Sequence, residues 1–273
     1  MTQKIIAILQ IKSINFSDFA LWLTWYINFI KCNDIYVVND ESLYDLKKVI
    51  SLCDNGSKVH YFEHRDLKTT CAPGVNLQCK IYNELLTRIQ PNKDDVILIP
   101  DNDEFWWYDN KKYSSFIECV NDYRNKLGLP SALYVPWTLM RSKNIMQCRR
   151  PSQNFFECFR YRTNIGNCEH KPVMFYKGLI DTSFHCGYSD GKTITEPTNL
   201  FYHSKCIYNL PLRCYHFRFT TIDEYYFKRK EEISVKSTPR PYMSQSFSPQ
   251  IFNGEDQNGN NYIIEDNTLV ESL

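Results

Sequence analysis

Asp95-Val-Ile-Leu-Ile-Pro-Asp101-Asn-Asp103-Glu104-Phe105 is an apolar run that ends on a cluster of carboxylates. Residues 95–99 read as a short buried strand, and Pro100 closes it. Asp101 and Asp103, one residue apart just past a strand, can face a common divalent cation and the group it carries. Mg²⁺ and Mn²⁺ prefer oxygen ligands, commonly one or two carboxylates plus substrate phosphates. Such a cation offsets the charge developing on a departing diphosphate. The plainer reading is a turn whose Asp and Asn side chains bond the local backbone, and it suits most isolated D-x-D triplets.

The residues upstream change that balance. Apolar runs at 4–11, 34–38 and 58–62 read as three earlier strands. A helix at 16–30, with Asn15, Ser17 or Asp18 as its cap, lies between the first two. Asn39-Asp40-Glu41-Ser42 opens another helix through residue 50. Residues 78–88 place Tyr82, Leu85, Leu86 and Ile89 at helical spacing. Strands alternating with helices predict an α/β fold with a mostly parallel central sheet. In such sheets ligands sit beyond the carboxyl ends of the strands, where Asp101 and Asp103 fall. Further on, 113–126 and 221–232 read as helices, and 132–137 and 173–176 as strands. From residue 236 the chain turns polar, with Pro239, Pro241 and Pro249 and the Asn- and Gly-rich run 253–261. The expected organisation is one domain over 1–235 and a polar tail over 236–273 outside the core.

Bulk composition excludes several classes. The 273 residues carry 32 Lys plus Arg against 31 Asp plus Glu, a net charge of +1, so nothing draws the whole chain to nucleic acid or an anionic membrane. Glycine numbers only 9, which weakens any reading that needs a glycine-rich phosphate cradle. Gly187 to Thr193 superficially resembles a P-loop, but it has three residues between its glycines instead of four and no apolar strand before it. No apolar run approaches the roughly 18 residues of a membrane helix. The N-terminal MTQKIIAILQIK reads as a first strand, not a signal peptide. The 11 cysteines form no C-x-x-C pair, which favours reduced thiols. The glycosylation triplets at Asn15 and Asn55 are of a kind common by chance.

Other candidates each have an ordinary reading. His185 and His216 lie among polar and aromatic residues near strand ends. Neither has the i, i+4 partner of a helical zinc site, so each reads by default as a structural histidine. Trp106, Trp107, Tyr108, Tyr134 and Trp137 could stack on a sugar or base, but most aromatic residues are core. Lys228-Arg229-Lys230 reads as a solvated helix face.

Taken together, four blocks resemble the family 92 type glycosyltransferases and their relatives in the family 2 superfamily. The first is Lys12-Ser-Ile-Asn15, then Trp22-Leu23 and Tyr26, then Ile35-Tyr-Val-Val38 and Asp40-Glu41-Ser42. Leu21 stands where the family usually has Glu, and Cys32 where it has Gly. The second and most specific block is Gln78-x-x-x-Tyr82-Asn83 leading to Val96-Ile-Leu-Ile99 and Asp101-Asn-Asp103-Glu104-Phe105. The third is Lys171-Pro-Val-Met with Lys177, Ile180 and His185. The fourth is His216-Phe-Arg218, then Thr221, Glu224, Tyr225 and Lys228, with Thr220 in place of the usual Lys and Glu231-Glu232 in place of Arg-Gly. The resemblance covers roughly residues 4–232.

That resemblance implies a GT-A fold and transfer of a sugar from a nucleotide-sugar donor, UDP-sugar favoured, to a hydroxyl of a glycan or glycoprotein acceptor. Asp101 and Asp103 would hold Mn²⁺ or Mg²⁺, with His216 as a further ligand and Asp101 also near the ribose. Lys12, Asn15, Asp40 and Gln78 would contact the nucleoside side of the donor. An inverting enzyme needs a general base at the acceptor hydroxyl. Asp190 is the first expectation and Asp181 the second, with His185 bordering the acceptor. No nucleic-acid partner is expected. A soluble or cytoplasmic enzyme, microbial or viral, is the expected setting, or the Golgi lumen if an N-terminal anchor has been removed. A nucleotidyltransferase with the same carboxylates, or a non-catalytic carbohydrate-binding protein, are the competing classes. The first usually needs a glycine-rich stretch after strand one, which Ile11-Lys-Ser-Ile-Asn-Phe16 lacks.

Overall fold

The computed structural model describes residues 2–11, 16–40, 42, 44–67, 77–128, 132–141, 154–163, 170–176, 210–217 and 263–272. Two compact units are distinguishable: Met1–Trp137 with Cys168–Cys214, and Thr138–Asn167 with Tyr215–Leu273.

The first unit is built on a sheet whose centre is parallel. β1 (Ile5–Ile11) lies between β2 (Asp34–Asn39) and β4 (Val96–Leu98), and β3 (Val59–Glu63) pairs with the far side of β2, all in parallel. β8 (His170–Phe175) then pairs antiparallel with β4, and β6 (Ala132–Arg141) antiparallel with β8. The order in this unit is therefore β6-β8-β4-β1-β2-β3. β4, and β1 apart from Gln10 near its end, are apolar because both faces of a central parallel strand are covered. α3 (Leu77–Ile89) covers one face with Ile81, Tyr82, Leu85 and Leu86, which pack on Ile6, Ile8, Val38, Ile97 and Ile99. The expected α/β class with a mostly parallel sheet and flanking helices is the class observed.

Local chemistry explains where the helices begin and end. α1 (Phe16–Thr24) is bulky and apolar on several sides, and it widens into a π-helical turn, Trp25–Phe29, closed by Ile30 N–H on Trp25 O at 3.1 Å. The ring pairs Trp22–Tyr26 and Trp25–Phe29 stack along it, with centroids 4.1 and 4.4 Å apart. α2 (Leu46–Leu52) starts later than the sequence suggests. Asp40 N–H is taken by Ile11 O and Ser42 N–H by the Asn39 side chain, so the capping role passes to Asp45, which accepts from Lys48 N–H. α4 (Phe116–Leu127) is capped by Ser115 and ends on Gly128, whose φ of 62° suits a residue without Cβ. β5 (Glu104–Tyr108), fully buried, pairs with β9 (Leu212–His216). The sequence reading assigned neither strand. Trp106, Trp107, Tyr108 and Trp137 are core residues, in line with the ordinary reading of such rings.

In the second unit, α5 (Phe155–Cys158) brings Phe155, Phe156 and Phe159 against Phe217. β7 (Tyr161–Thr163) pairs antiparallel with the end of β6, through Met140 and Arg162, and with β10 (Ile263–Glu265). Arg162 bonds the buried Asp266 at 3.0 Å. Residues 263–272 fall in the stretch expected outside the core, yet they form a sheet strand and a buried ion pair. The apolar pair Ile263-Ile264, next to Tyr262 in an otherwise polar stretch, was the local signal for it. The helix expected at 221–232 lies outside the described residues.

Candidate functional site

All four parallel strands end on polar side chains at the same edge of the sheet. β1 presents Gln10, β2 Asn39 and Asp40, β3 Glu63 followed by His64, and β4 runs into Asp101 and Asp103. Gln10 Nε2 donates to Asp40 Oδ2 at 2.9 Å, and His64 Nδ1 lies 2.8 Å from Asp40 Oδ1. Asn39 donates to Glu63 Oε2 at 3.1 Å, and the Tyr61 hydroxyl donates to Glu63 Oε1 at 2.7 Å. The carboxylates here are held by neighbouring side chains in defined orientations.

The Asp101 turn is fixed more firmly still. Asp101 N–H donates to Glu104 Oε2 at 2.8 Å, and the Trp22 indole N–H donates to Asp101 O at 3.2 Å. The Tyr26 hydroxyl donates to Glu104 O at 3.1 Å, and the Trp25 indole N–H to Trp106 O at 2.7 Å, so the aromatic helix anchors β5 directly after the turn. Lys171 Nζ reaches Asp101 Oδ2 and Glu104 Oε2, each at 2.9 Å. Lys171 and Glu104 are fully buried, whereas the Asp101 side chain is 34% exposed. Asp101 Oδ1 has no protein partner among the described residues. Burial by itself would drive the ammonium toward neutrality; the carboxylates of Asp101 and Glu104 outweigh it and hold Lys171 well above the ordinary lysine range. Below the turn, burial and then the charge of Glu104 push the Cys214 thiol far up, so it is a neutral thiol and not a nucleophile.

Asp40, Asp101 and Asp103, named from the sequence, thus stand at one edge of one sheet. Gln78 sits on α3, where its amide donates to the Tyr82 hydroxyl at 2.6 Å. Burial and the nearby Asp101 charge raise that phenol well above its usual range, so it remains protonated. His216 ends β9 in the second unit. Lys12, Asn15, Asp181, His185 and Asp190 lie outside the described residues. Among the described residues no group of three or more His, Cys, Asp or Glu is arranged to hold a metal ion. The oxygen donors of Asp101 and Asp103 nonetheless fit a hard divalent cation that takes its remaining ligands from phosphate and water. Sequence reasoning gave no role to Gln10, Glu63, His64, Glu104 or Lys171. For Lys171 the available signal was a charge inside the strand His170-Lys-Pro-Val-Met-Phe175.

A recess of about 380 Å³ opens at the opposite edge, lined by Gln3, Asn92, Asp94, Asn121 and Arg124 among others. Arg124 there is paired with Asp94 at 2.8 Å. None of the candidate carboxylates borders it.

The chain matches no protein-family model and no curated protein sequence. Among solved structures it is similar to a 4-diphosphocytidyl-2C-methyl-D-erythritol synthase, with 12% identity and a TM-score of 0.33 over 76% of this chain and 100% of that one. It is also similar to S. aureus TarS (13% identity, TM-score 0.33, 93% of this chain and 44% of that one). A shorter TarS in complex with UDP-GlcNAc gives 15% identity and a TM-score of 0.31, over 57% of this chain and 38% of that one. Likenesses this loose carry no argument about activity, and the α/β fold stands on the strand order given above.

Proposed function

We propose that this protein is a metal-dependent glycosyltransferase that moves a sugar from a nucleotide-sugar donor to a hydroxyl acceptor. The observation that carries the reading is the Asp101-Asn-Asp103-Glu104 turn, rigidly held at the carboxyl end of the fourth parallel strand. The four-block sequence resemblance supports it. Asp40 follows β2 and Asp101 follows β4, strands two spacings or about 10 Å apart, a span that a nucleoside diphosphate can bridge. Asp40, with Gln10 and His64 fixing its carboxylate, suits hydroxyl and amide donors of a nucleoside. Asp101 and Asp103 would hold Mn²⁺ or Mg²⁺, which supplies charge neutralisation at the diphosphate. UDP-sugars are the favoured donors, glycans or glycoproteins the acceptors, and inversion with Asp190, Asp181 or His185 near the acceptor the favoured course. No helix of the described residues is long and apolar enough to cross a membrane.

The test is a thermal-shift panel of UDP- and GDP-sugars with and without Mn²⁺. A donor that stabilises only with metal is expected, and Asp103→Ala should lose that shift while melting near the wild-type temperature in its absence. No metal-dependent shift across the panel, or an unchanged shift in Asp103→Ala, would overturn the reading. Release of nucleoside diphosphate separates it from a nucleotidyltransferase, which releases pyrophosphate.

A further inference from the structure

We propose that Lys171 is a positioning residue that occupies one oxygen of Asp101 as a built-in counter-cation, so that the turn takes a divalent cation well only together with the donor's phosphates. This rests on the function proposed above and assigns Lys171 a part in it. Asp101 is held at three atoms: its N–H by Glu104, its carbonyl by Trp22 and its Oδ2 by Lys171. A fully buried ammonium 2.9 Å from Oδ2 is a permanent competitor for any cation approaching that oxygen. Asp101 is then left to offer Oδ1 alone. With an Asp101 oxygen taken by Lys171, the turn makes a poor site for a free divalent ion, which keeps most of its waters unless anionic ligands replace them. Phosphate oxygens of a bound donor supply those ligands. Antiparallel pairing of β8 with β4 matches Leu98 with Val173, and continuing that register sets Lys171 opposite residue 100, beside the turn. Its position is therefore a property of the sheet.

The experiment measures Mn²⁺ alone, without nucleotide, by the loss of the free-ion electron paramagnetic resonance signal in titrations of the full chain. Lys171→Met by itself leaves Glu104 buried without its counter-charge and is liable to unfold. The informative variant is therefore Lys171→Met/Glu104→Gln. It removes one positive and one negative charge together, so the net charge around the turn is unchanged. Any change in affinity then reports the release of Asp101 Oδ2. Mn²⁺ should bind the double variant about tenfold more tightly than wild type, the worth of one charged hydrogen bond. Adding Asp103→Asn to the double variant should reverse the gain. A purely structural role for Lys171 predicts equal or weaker binding. Equal or weaker Mn²⁺ binding in a folded double variant, or no Mn²⁺ binding in either protein, would overturn the proposal. Because nucleotide is absent, a failure of the donor panel above leaves this readout intact, and the two ideas fail separately.

Discussion

The two edges of the parallel sheet use the same residue types for different ends. At the amino edge, Asp95 accepts Lys4 N–H at 2.9 Å and Asn92 N–H at 2.8 Å, while Asn33 Oδ1 accepts Ile5 N–H at 2.8 Å. These side chains satisfy backbone donors that the strand ends would otherwise leave unpaired. At the carboxyl edge, side chains hold side chains: Gln10 and His64 hold Asp40, Asn39 and Tyr61 hold Glu63, and Lys171 holds Asp101. Asp34 at the amino edge is also held by side chains, those of Lys4 and His60, so the contrast lies in the strand-end backbone groups that Asp95 and Asn33 close there and in the buried Lys171 that holds Asp101 at the other edge. A count of acidic residues does not separate the two edges.

Substitutions at each edge can break this contrast. The largest effect is expected from Lys171→Met, which strands the buried Glu104 and should cost about 3–5 kcal/mol in urea unfolding, with Lys171→Met/Glu104→Gln recovering most of it. A loss below about 1 kcal/mol for the single variant would mean that the triad is not buried as described. Next is Asp95→Ala: Asp95 is 1% exposed, and loss of its carboxylate takes the acceptor from the Lys4 and Asn92 N–H groups. It should cost about 1–3 kcal/mol while leaving metal-dependent donor binding unchanged. Impaired binding there would erase the division of labour between the edges. The smallest effect belongs to Asp34, which meets Lys4 at 3.3 Å and His60 at 3.1 Å near the surface. Burial raises its carboxyl pKa, but the hydrogen bonds from His60 and Lys4 outweigh that and leave it below the usual range. Its contribution to stability is therefore complete above about pH 4 and is lost as pH falls through the lowered value. Asp34→Asn should remove less than about 1 kcal/mol and flatten that acid limb. Unfolding curves between pH 6 and 2 provide the check.

Much of this was legible in the residues themselves. The apolar runs of β1 and β4 announce buried strands because a central parallel strand needs apolar side chains on both faces. The helical spacing of Tyr82, Leu85 and Leu86 announces the face α3 buries. Asp40, Asp101 and Asp103 are visible because carboxylates immediately after such strands must emerge at the carboxyl edge. β5 was not legible: Glu104-Phe-Trp-Trp-Tyr108 shows no period-2 alternation, since it is covered on every side. The late start of α2 was hidden as well, because backbone bonds from Ile11 and the Asn39 side chain occupy the groups that a helix beginning at Asp40 would need.

The sequence by itself determined the α/β class, the places of the first four strands along the chain and the carboxylates that follow them. Those features depend on local period and on neighbours a few residues apart. Only the tertiary structure decided which carboxylates are held, and by what. Lys171 reaches Asp101, 70 positions away in the chain, because β8 returns antiparallel beside β4. His64 reaches Asp40 because β3 pairs with β2 in a register that sets Asn39 opposite Glu63. Charge pairing across strands is fixed by register, and register emerges only when the whole sheet has formed.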